Sequence, residues 1–136
     1  MSELKTDKLG FYVRLRENFD VVRTKAVDAL KNEGFGVLTE IDVKETLKQK
    51  LDVNFPSYTI LGACNPPLAY RALNAAPEVG LLLPCNVTVR EVGDGNVEVA
   101  LIDPMMMVES IGKTELSPVA EDAHARLERI ARKLAV

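Results

Sequence analysis

The sequence predicts an α+β fold in a single domain: a two-layer sandwich with a mainly antiparallel sheet and helices on one face. Three observations predict it. The chain has 136 residues, the size of one domain with its own hydrophobic core. Its strand segments alternate apolar and polar residues, as in a sheet with one solvated face. No linker or repeat divides residues 1–136, and helical segments separate several of the strands.

The first part of the chain predicts two strands and two helices. Apolar alternation predicts strands around Phe11, Val13 and Leu15 and around Phe35, Val37, Thr39 and Ile41. Asn18 or Asp20 can cap the helix between them, which Gly34 ends. Asp42 and Glu45 resemble a capping box that opens a second helix. The residues of this second helix that we expect to face inward are Val43, Leu47 and Leu51.

A third strand and a small helix are predicted next. Tyr58 to Cys64 is the strand, and Asn65 is a suitable helix cap with Pro66 in the first helical position. The helix ends near Pro77. Its apolar residues are Leu68, Ala69, Ala72, Leu73 and Ala76.

The last part predicts a hairpin followed by helices. Leu81–Val92 and Asn96–Ile102 are strands, and the Gly93–Gly95 turn between them tolerates the positive φ angles of a tight hairpin. Asp103 and Pro104 then open a short helical segment. The last helix begins at Ser117 and Pro118 and buries Ala120, Ala123, Leu127, Ile130 and Leu134. These patterns predict five strands and leave the strand order open.

The composition of the chain argues against several classes of partner and location. Seventeen basic and twenty acidic residues give a net charge of −3, the wrong sign for neutralising phosphates, so we expect no nucleic-acid partner. No apolar run approaches the roughly 20 residues of a membrane helix. The first ten residues have no apolar segment typical of a secretory signal, which predicts the cytoplasm.

The two cysteines are the main candidates for chemistry. Cys64 directly precedes the predicted helix at Asn65, where free amides and the helix dipole can stabilise a thiolate or a small anion. Cys85 shares strand parity with apolar residues and is predicted to be buried. The two thiols can approach bonding range if their strands are antiparallel neighbours, whereas a parallel crossover separates them. The alternative is that both are small core hydrophobes.

Known cofactor motifs are missing from the sequence. Without C-x-x-C, neither a thioredoxin site nor a zinc finger is indicated. His124 is the only histidine, and its spacing from the two cysteines matches no recognised metal site, so we expect no metal. The glycines of a nucleotide-binding loop lie between a strand and the helix that follows it. The glycines of the predicted hairpin lie between two strands, so they form no such loop. Soft thioethers that suit copper(I) are present in Met105, Met106 and Met107. Methionines are more often core residues than metal ligands.

Several segments resemble the bacterial and archaeal domain-of-unknown-function family 302. They are residues 34–42, 58–66, 82–87 and 103–104, and the resemblance covers about residues 12–134. It implies a TATA-binding-protein-like topology and a homodimer, but no reaction or cofactor. The residues that fall in its characteristic blocks are Cys64, Asn65, Pro66, Pro84, Cys85, Asn86, Asp103 and Pro104.

Two functional hypotheses follow. In the first, the protein is a thiol protein for redox, sulfur or soft-metal chemistry, with Cys64 as the reactive thiol and Cys85 as its partner. In the second, it is a non-enzymatic homodimeric module that binds a small apolar or anionic ligand between sheet and helices or at the subunit interface, with structural cysteines. The candidate ligand-binding residues are Cys64, Asn65, Pro66, Cys85, Asn86 and Asp103.

Overall fold

The computed structural model describes residues 3–136 of the chain. Within this part, six strands form one antiparallel sheet. The strands are β1 (Leu4–Thr6), β2 (Gly10–Leu15), β3 (Gly36–Asp42), β4 (Tyr58–Cys64), β5 (Cys85–Gly93) and β6 (Asn96–Ile102). Their order across the sheet is β1-β2-β6-β5-β4-β3, with every neighbouring pair antiparallel. The predicted α+β class with an antiparallel sheet is therefore confirmed.

Five α-helices accompany this sheet in residues 3–136. They are α1 (Phe19–Asn32), α2 (Val43–Leu51), α3 (Pro66–Ala75), α4 (Met105–Ile111) and α5 (Ser117–Ala135), with short 3₁₀ turns at Pro77–Leu82 and Thr114–Leu116. Helices α1, α2 and α5 contact the sheet, and α3 and α4 pack against α5. No helix in this part of the chain has the length and apolar character needed to cross a membrane.

The core lies between one face of the sheet and the helices. Every second residue of β2 from Phe11, of β6 from Val97, and of β5 from Cys85 to Val89 is buried there, as the alternation predicts. The sheet contributes Phe11, Val13, Leu15, Val87, Val89, Val97, Val99 and Leu101 to this core. Burial of so many large apolar side chains is the main stabilising term, at roughly 2 kcal/mol for each one.

Three asparagine and aspartate caps begin the helices where the sequence places them. Asn18 accepts a hydrogen bond from the Val21 amide at 2.9 Å, so Asn18 rather than Asp20 caps α1. Asp42 accepts from the Glu45 amide at 3.0 Å and caps α2. Asn65 caps α3.

The hairpin between β5 and β6 is also confirmed. Asp94 has a φ of 54°, and its neighbours Gly93 and Gly95 have φ values of 91° and 75°. These left-handed conformations suit glycine and aspartate. The register that results pairs Val89 with Val99 across the two strands, which directs both side chains into the core.

Two predictions about strands are wrong. The expected five strands become six because the three-residue β1 pairs with β2, and three residues are too few to show alternation. The long strand predicted over Leu81–Val92 begins only at Cys85, since Pro77–Leu82 form a 3₁₀ turn. A short apolar run is compatible with a strand or with a short helix, so the pattern alone does not decide between them. Leu81 belongs to this run and is 89% exposed.

The inward face predicted for α2 is wrong as well. None of its residues is fully buried: Val43 and Leu47 are half-buried, and Leu51 is 66% exposed. This helix contacts the edge strand β3 and its neighbour β4, so it lies at the edge of the sheet, where less of its surface is covered. Thr39 and Ile41 of β3 are exposed for the same reason.

Candidate functional site

An apolar cavity of about 310 Å³ lies between the adjoining ends of β4 and β5 and the helices α3, α4 and α5. None of its lining side chains is charged, and Asn65 is the only one with a carboxamide. The lining residues are Phe35, Leu38, Ala63, Cys64, Asn65, Leu68, Ala69, Ala72, Leu73, Leu83, Pro84, Cys85, Pro104, Met107, Leu116, Val119, Ala120 and Ala123. The most exposed of these lining residues are Leu38 and Leu73, at 68% and 42%.

The cavity brings together part of the predicted site. Three of the six candidate ligand-binding residues line it, namely Cys64, Asn65 and Cys85. The other three do not. Pro66 is exposed at the start of α3, and Asn86 is exposed one residue after a core-facing position of β5. Side chains alternate between the two faces of a strand, so Asn86 points away from the cavity although it adjoins Cys85 in sequence. Asp103 lies outside the cavity wall and contacts α5, as described below.

The two cysteines lie on neighbouring antiparallel strands, which is the arrangement that allows their two thiols to approach each other. The register places Ala63 opposite Cys85, so Cys64 is one residue beyond the directly paired position. Both cysteines are free thiols, Cys64 half-buried and Cys85 buried. They form neither a disulfide nor a cluster with other metal-binding side chains. The structure therefore shows no thiol site among the described residues.

Burial determines the acidity of Cys85. Loss of solvation raises the pKa of this thiol from 9.0 to about 11, and the charge of Cys64 shifts it in the same direction. A thiol with such a pKa is almost entirely protonated at neutral pH, and the protonated form is a poor nucleophile. Cys85 therefore acts as an uncharged part of the cavity wall.

This pKa predicts a loss of stability at high pH. Above about pH 9 the unfolded chain ionises Cys85 while the folded chain keeps its proton, so the free energy of unfolding falls as pH rises toward 11. Urea denaturation at about pH 8 and about pH 11 should show wild type losing about 2 kcal/mol more than Cys85→Ala. Cys64→Ala is the control and should lose nearly as much as wild type, because burial is the larger cause of the raised pKa and the charge of Cys64 is the smaller one. Equal losses in wild type and Cys85→Ala would contradict the assignment.

The start of α3 offers no amide for a thiolate or another anion. Pro66 and Pro67 have no N–H, the Leu68 amide donates to Asn65 Oδ1 at 3.3 Å, and the Ala69 amide donates to the Asn65 carbonyl at 2.9 Å. All four backbone nitrogens of the first turn are therefore substituted or satisfied. The prediction that free amides at the start of α3 are available to the neighbouring sulfur is wrong.

Asn65 has a structural role beside its place in the cavity wall. Its Oδ1 caps α3, and its Nδ2 donates to the carbonyl of Glu33 at 3.3 Å. The same carbonyl accepts from Nη1 of Arg126 on α5 at 2.9 Å. Because Glu33 follows the last residue of α1, these contacts join α1, α3 and α5 next to the cavity.

Asp103 and His124 form a contact that sequence reasoning did not predict. The Asp103 Oδ1 atom lies 2.8 Å from His124 Nδ1 and also accepts from the Met105 amide at 2.9 Å. The His124 ring packs near Phe11, with ring centroids 5.3 Å apart. This contact fixes the start of α4 against α5. His124 is therefore paired with a carboxylate and not with the two thiols.

Metal ligands are not assembled in the described part of the chain. No group of three or more histidine, cysteine, aspartate or glutamate side chains is placed to hold an ion in residues 3–136. Of the three consecutive methionines, Met107 lines the cavity, whereas Met105 and Met106 do not. The methionine in the cavity contributes an apolar surface, as a core methionine does.

Small residues on two helices create the cavity, and sequence reasoning missed their role. Ala69 and Ala72 of α3 and Ala120 and Ala123 of α5 all line it. Each pair is three residues apart and so lies on one face of its helix. The sequence shows both pairs as apolar faces, but nothing local shows that the two faces meet across a space that their methyl groups do not fill.

Comparison with known proteins places the chain in a family. The family model described as "Domain of unknown function DUF302" matches residues 11–134. An "Uncharacterized protein" of Aquifex aeolicus (strain VF5) is 27% identical over 111 residues, which are 82% of this chain and 70% of the relative.

A solved structure agrees with this match. The crystal structure of an uncharacterized conserved protein DUF302 from Bacillus stearothermophilus is 30% identical in sequence and superposes with a TM-score of 0.83. The superposition covers 93% of this chain and 98% of the Bacillus chain. The region matched by the family model includes the hairpin and every residue that lines the cavity. The chain therefore belongs to the DUF302 family, as the resemblance of its sequence segments predicts.

Proposed function

We propose that the protein binds a small apolar molecule in the cavity between β4, β5, α3, α4 and α5. The observation that carries the proposal is the lining: no charged side chain and one carboxamide surround about 310 Å³. Ligand pockets in proteins are typically concave, mainly apolar and about 300–1,000 Å³ in volume. Covering such an apolar surface with a ligand is favourable, because it removes the surface from water.

Substitution at Ala69 tests the proposal. This residue is half-buried on α3 and lines the cavity, so a phenylalanine there occupies ligand space without entering the fully buried core. The probe is 1-octanol, titrated into ¹⁵N-labelled protein and followed by amide chemical shifts. In wild type, the shifts should map to cavity-lining residues. Ala69→Phe should weaken binding at least about tenfold, the cost of losing roughly 1.4 kcal/mol of buried contact.

Ala125 provides the matched control. It is another half-buried alanine on a helix, but it does not line the cavity. Ala125→Phe should bind 1-octanol as wild type does. Equal weakening in the two variants, or shifts scattered away from the cavity, would show that the probe binds elsewhere and would refute the proposal.

A thiol function is the second candidate, because Cys64 and Cys85 lie on the wall of one cavity. Under this candidate, Cys64→Ala should abolish function. Under apolar ligand binding, the same substitution removes one sulfur from a wall of eighteen residues and should leave 1-octanol affinity largely intact. Alkylation of the folded protein across pH tests the thiol candidate separately: reaction of Cys64 before denaturation supports it, and reaction of both cysteines only after denaturation rules it out.

The homodimer and the TATA-binding-protein-like topology that the resemblance implies stay predictions. Exposed apolar side chains that can support a dimer include Leu38, Tyr70, Leu81 and Leu82. Two of these residues belong to the 3₁₀ turn beside the cavity, so a subunit interface there would cover part of its rim.

A further inference from the structure

Half of the sulfur-containing residues of this protein line the apolar cavity. The chain has two cysteines and four methionines. Cys64 of β4, Cys85 of β5 and Met107 of α4 belong to the cavity wall. This wall has only eighteen of the 136 residues, so sulfur is concentrated in it. The three residues come from three different elements, and both the sheet and a helix therefore contribute sulfur to the wall.

The chemistry of these sulfur atoms favours contact with an aromatic ring. Burial raises the pKa of the Cys85 thiol to about 11, so this sulfur is uncharged at neutral pH, and the thioether of Met107 has no charge to lose. Polarizable sulfur makes favourable contacts with aromatic rings, often at the ring edge, where the partial charge is positive. The ring of Phe35, which also lines the cavity, attracts a second ring in the same way. A saturated chain has no such edge.

The walls formed by α3 and α5 suit the faces of a flat molecule. Each helix presents two alanines to the cavity, and the two helices pack against each other. Alanine methyl groups project little from a helix, so they leave low walls on which a ring can lie. Apolar cavities of about 150 Å³ bind benzene. The larger volume of about 310 Å³ has room for a ring with a short substituent.

From this wall we infer that the ligand is an uncharged aromatic molecule, with its ring faces against the alanines of α3 and α5 and its ring edge toward the sulfur atoms. The inference rests on the proposed function and adds the chemical class of the ligand to it. The lining has no charged side chain, and a charged group that left water there would lack a partner, so the ligand is uncharged.

Two probes that differ only in the saturation of the ring test the ligand class. Benzyl alcohol and cyclohexylmethanol have the same carbon skeleton and the same hydroxyl group, and burial of apolar surface alone does not favour the aromatic one. Wild type should bind benzyl alcohol about fivefold more tightly, the size of one or two sulfur–ring contacts. Benzyl alcohol should also shift the methyl proton resonances of the lining alanines upfield, because these methyl groups lie over the ring faces. The alanines are Ala69, Ala72, Ala120 and Ala123.

Met107→Leu removes one sulfur atom and conserves the volume of the side chain. This variant should lower the preference for benzyl alcohol to about twofold and leave the affinity for cyclohexylmethanol unchanged. Met105→Leu is the matched control, since Met105 belongs to the same helix and does not line the cavity. Its preference should equal that of wild type. Urea denaturation of both variants checks that each is folded.

The outcomes separate the ligand class from the cavity. If cyclohexylmethanol binds as tightly as benzyl alcohol, if Met107→Leu weakens both probes equally, or if the alanine methyl resonances do not move upfield, the aromatic class is overturned while the cavity proposal stands. If neither ring probe nor 1-octanol binds wild type, the proposed function itself fails, and this inference fails with it.

Discussion

Replacing Asn65 with alanine is expected to lower the free energy of unfolding by about 3 kcal/mol, the sum of a lost helix cap and a lost buried hydrogen bond. Asn65 is 6% exposed, so water cannot replace its side chain. Its Oδ1 satisfies the Leu68 amide, and its Nδ2 joins the Glu33 carbonyl at the end of α1. The variant leaves a buried amide without its acceptor and loosens α3 from α1. Urea denaturation followed by circular dichroism measures the loss.

Asn18→Ala is the control for this experiment. Asn18 caps α1 through the Val21 amide at 2.9 Å, but it is exposed and its contact is local. Its loss should cost about 1 kcal/mol, the usual value of an N-cap. The excess in Asn65→Ala then measures the contact between α3 and α1. Equal costs would show that Asn65 is an ordinary cap and that the Glu33 contact adds nothing to stability.

The elements that sequence reasoning identified correctly are those whose signals are local. Asn18, Asp42 and Asn65 cap helices because the side-chain oxygen needs only an amide two or three residues further along. The hairpin at Asp94 is local in the same sense, because its φ angles are a property of the turn residues. Such features depend little on what packs against them.

The elements that were misjudged depend on position in the sheet. The apolar residues of α2 predict an inward face, but this helix follows β3, and an edge strand has a core neighbour on one side only. Ile41 alternates as a buried residue does and is nevertheless 48% exposed. Strand order decides both cases, and alternation within one segment contains no information about strand order.

The candidate site was located for a reason that does not hold. Sequence reasoning selected Cys64 and Cys85 for their reactivity, and both do line the cavity. The expected activation of Cys64 needs free amides at the start of α3, and Pro67, Leu68 and Ala69 leave none. The alanines that make the space come from helices more than forty residues apart in sequence. Their meeting is a tertiary event that no local pattern encodes.

Replacing Gly10 with alanine is expected to lower the free energy of unfolding by about 3 kcal/mol or more, because overpacking here involves backbone atoms that no rotamer change can move. Gly10 pairs with Ile102 at the junction of β2 and β6. A Cβ atom on Gly10 would overlap the carbonyl oxygen of Leu101 and lie 3.1 Å from its carbonyl carbon. The two strands must separate locally to admit it. Urea denaturation measures the loss, and amide hydrogen exchange locates it.

Gly36→Ala makes the same chemical change elsewhere in the sheet. Gly36 begins the edge strand β3, and a Cβ built there meets no atom within 4 Å. Alanine should be neutral or stabilising there by up to about 0.5 kcal/mol, since it reduces the freedom of the unfolded chain. Only Gly10→Ala should speed exchange of the amides that join β2 to β6. Similar stabilities for the two variants would mean that the sheet yields at this junction, and that close approach to β6 is not why glycine is needed at position 10.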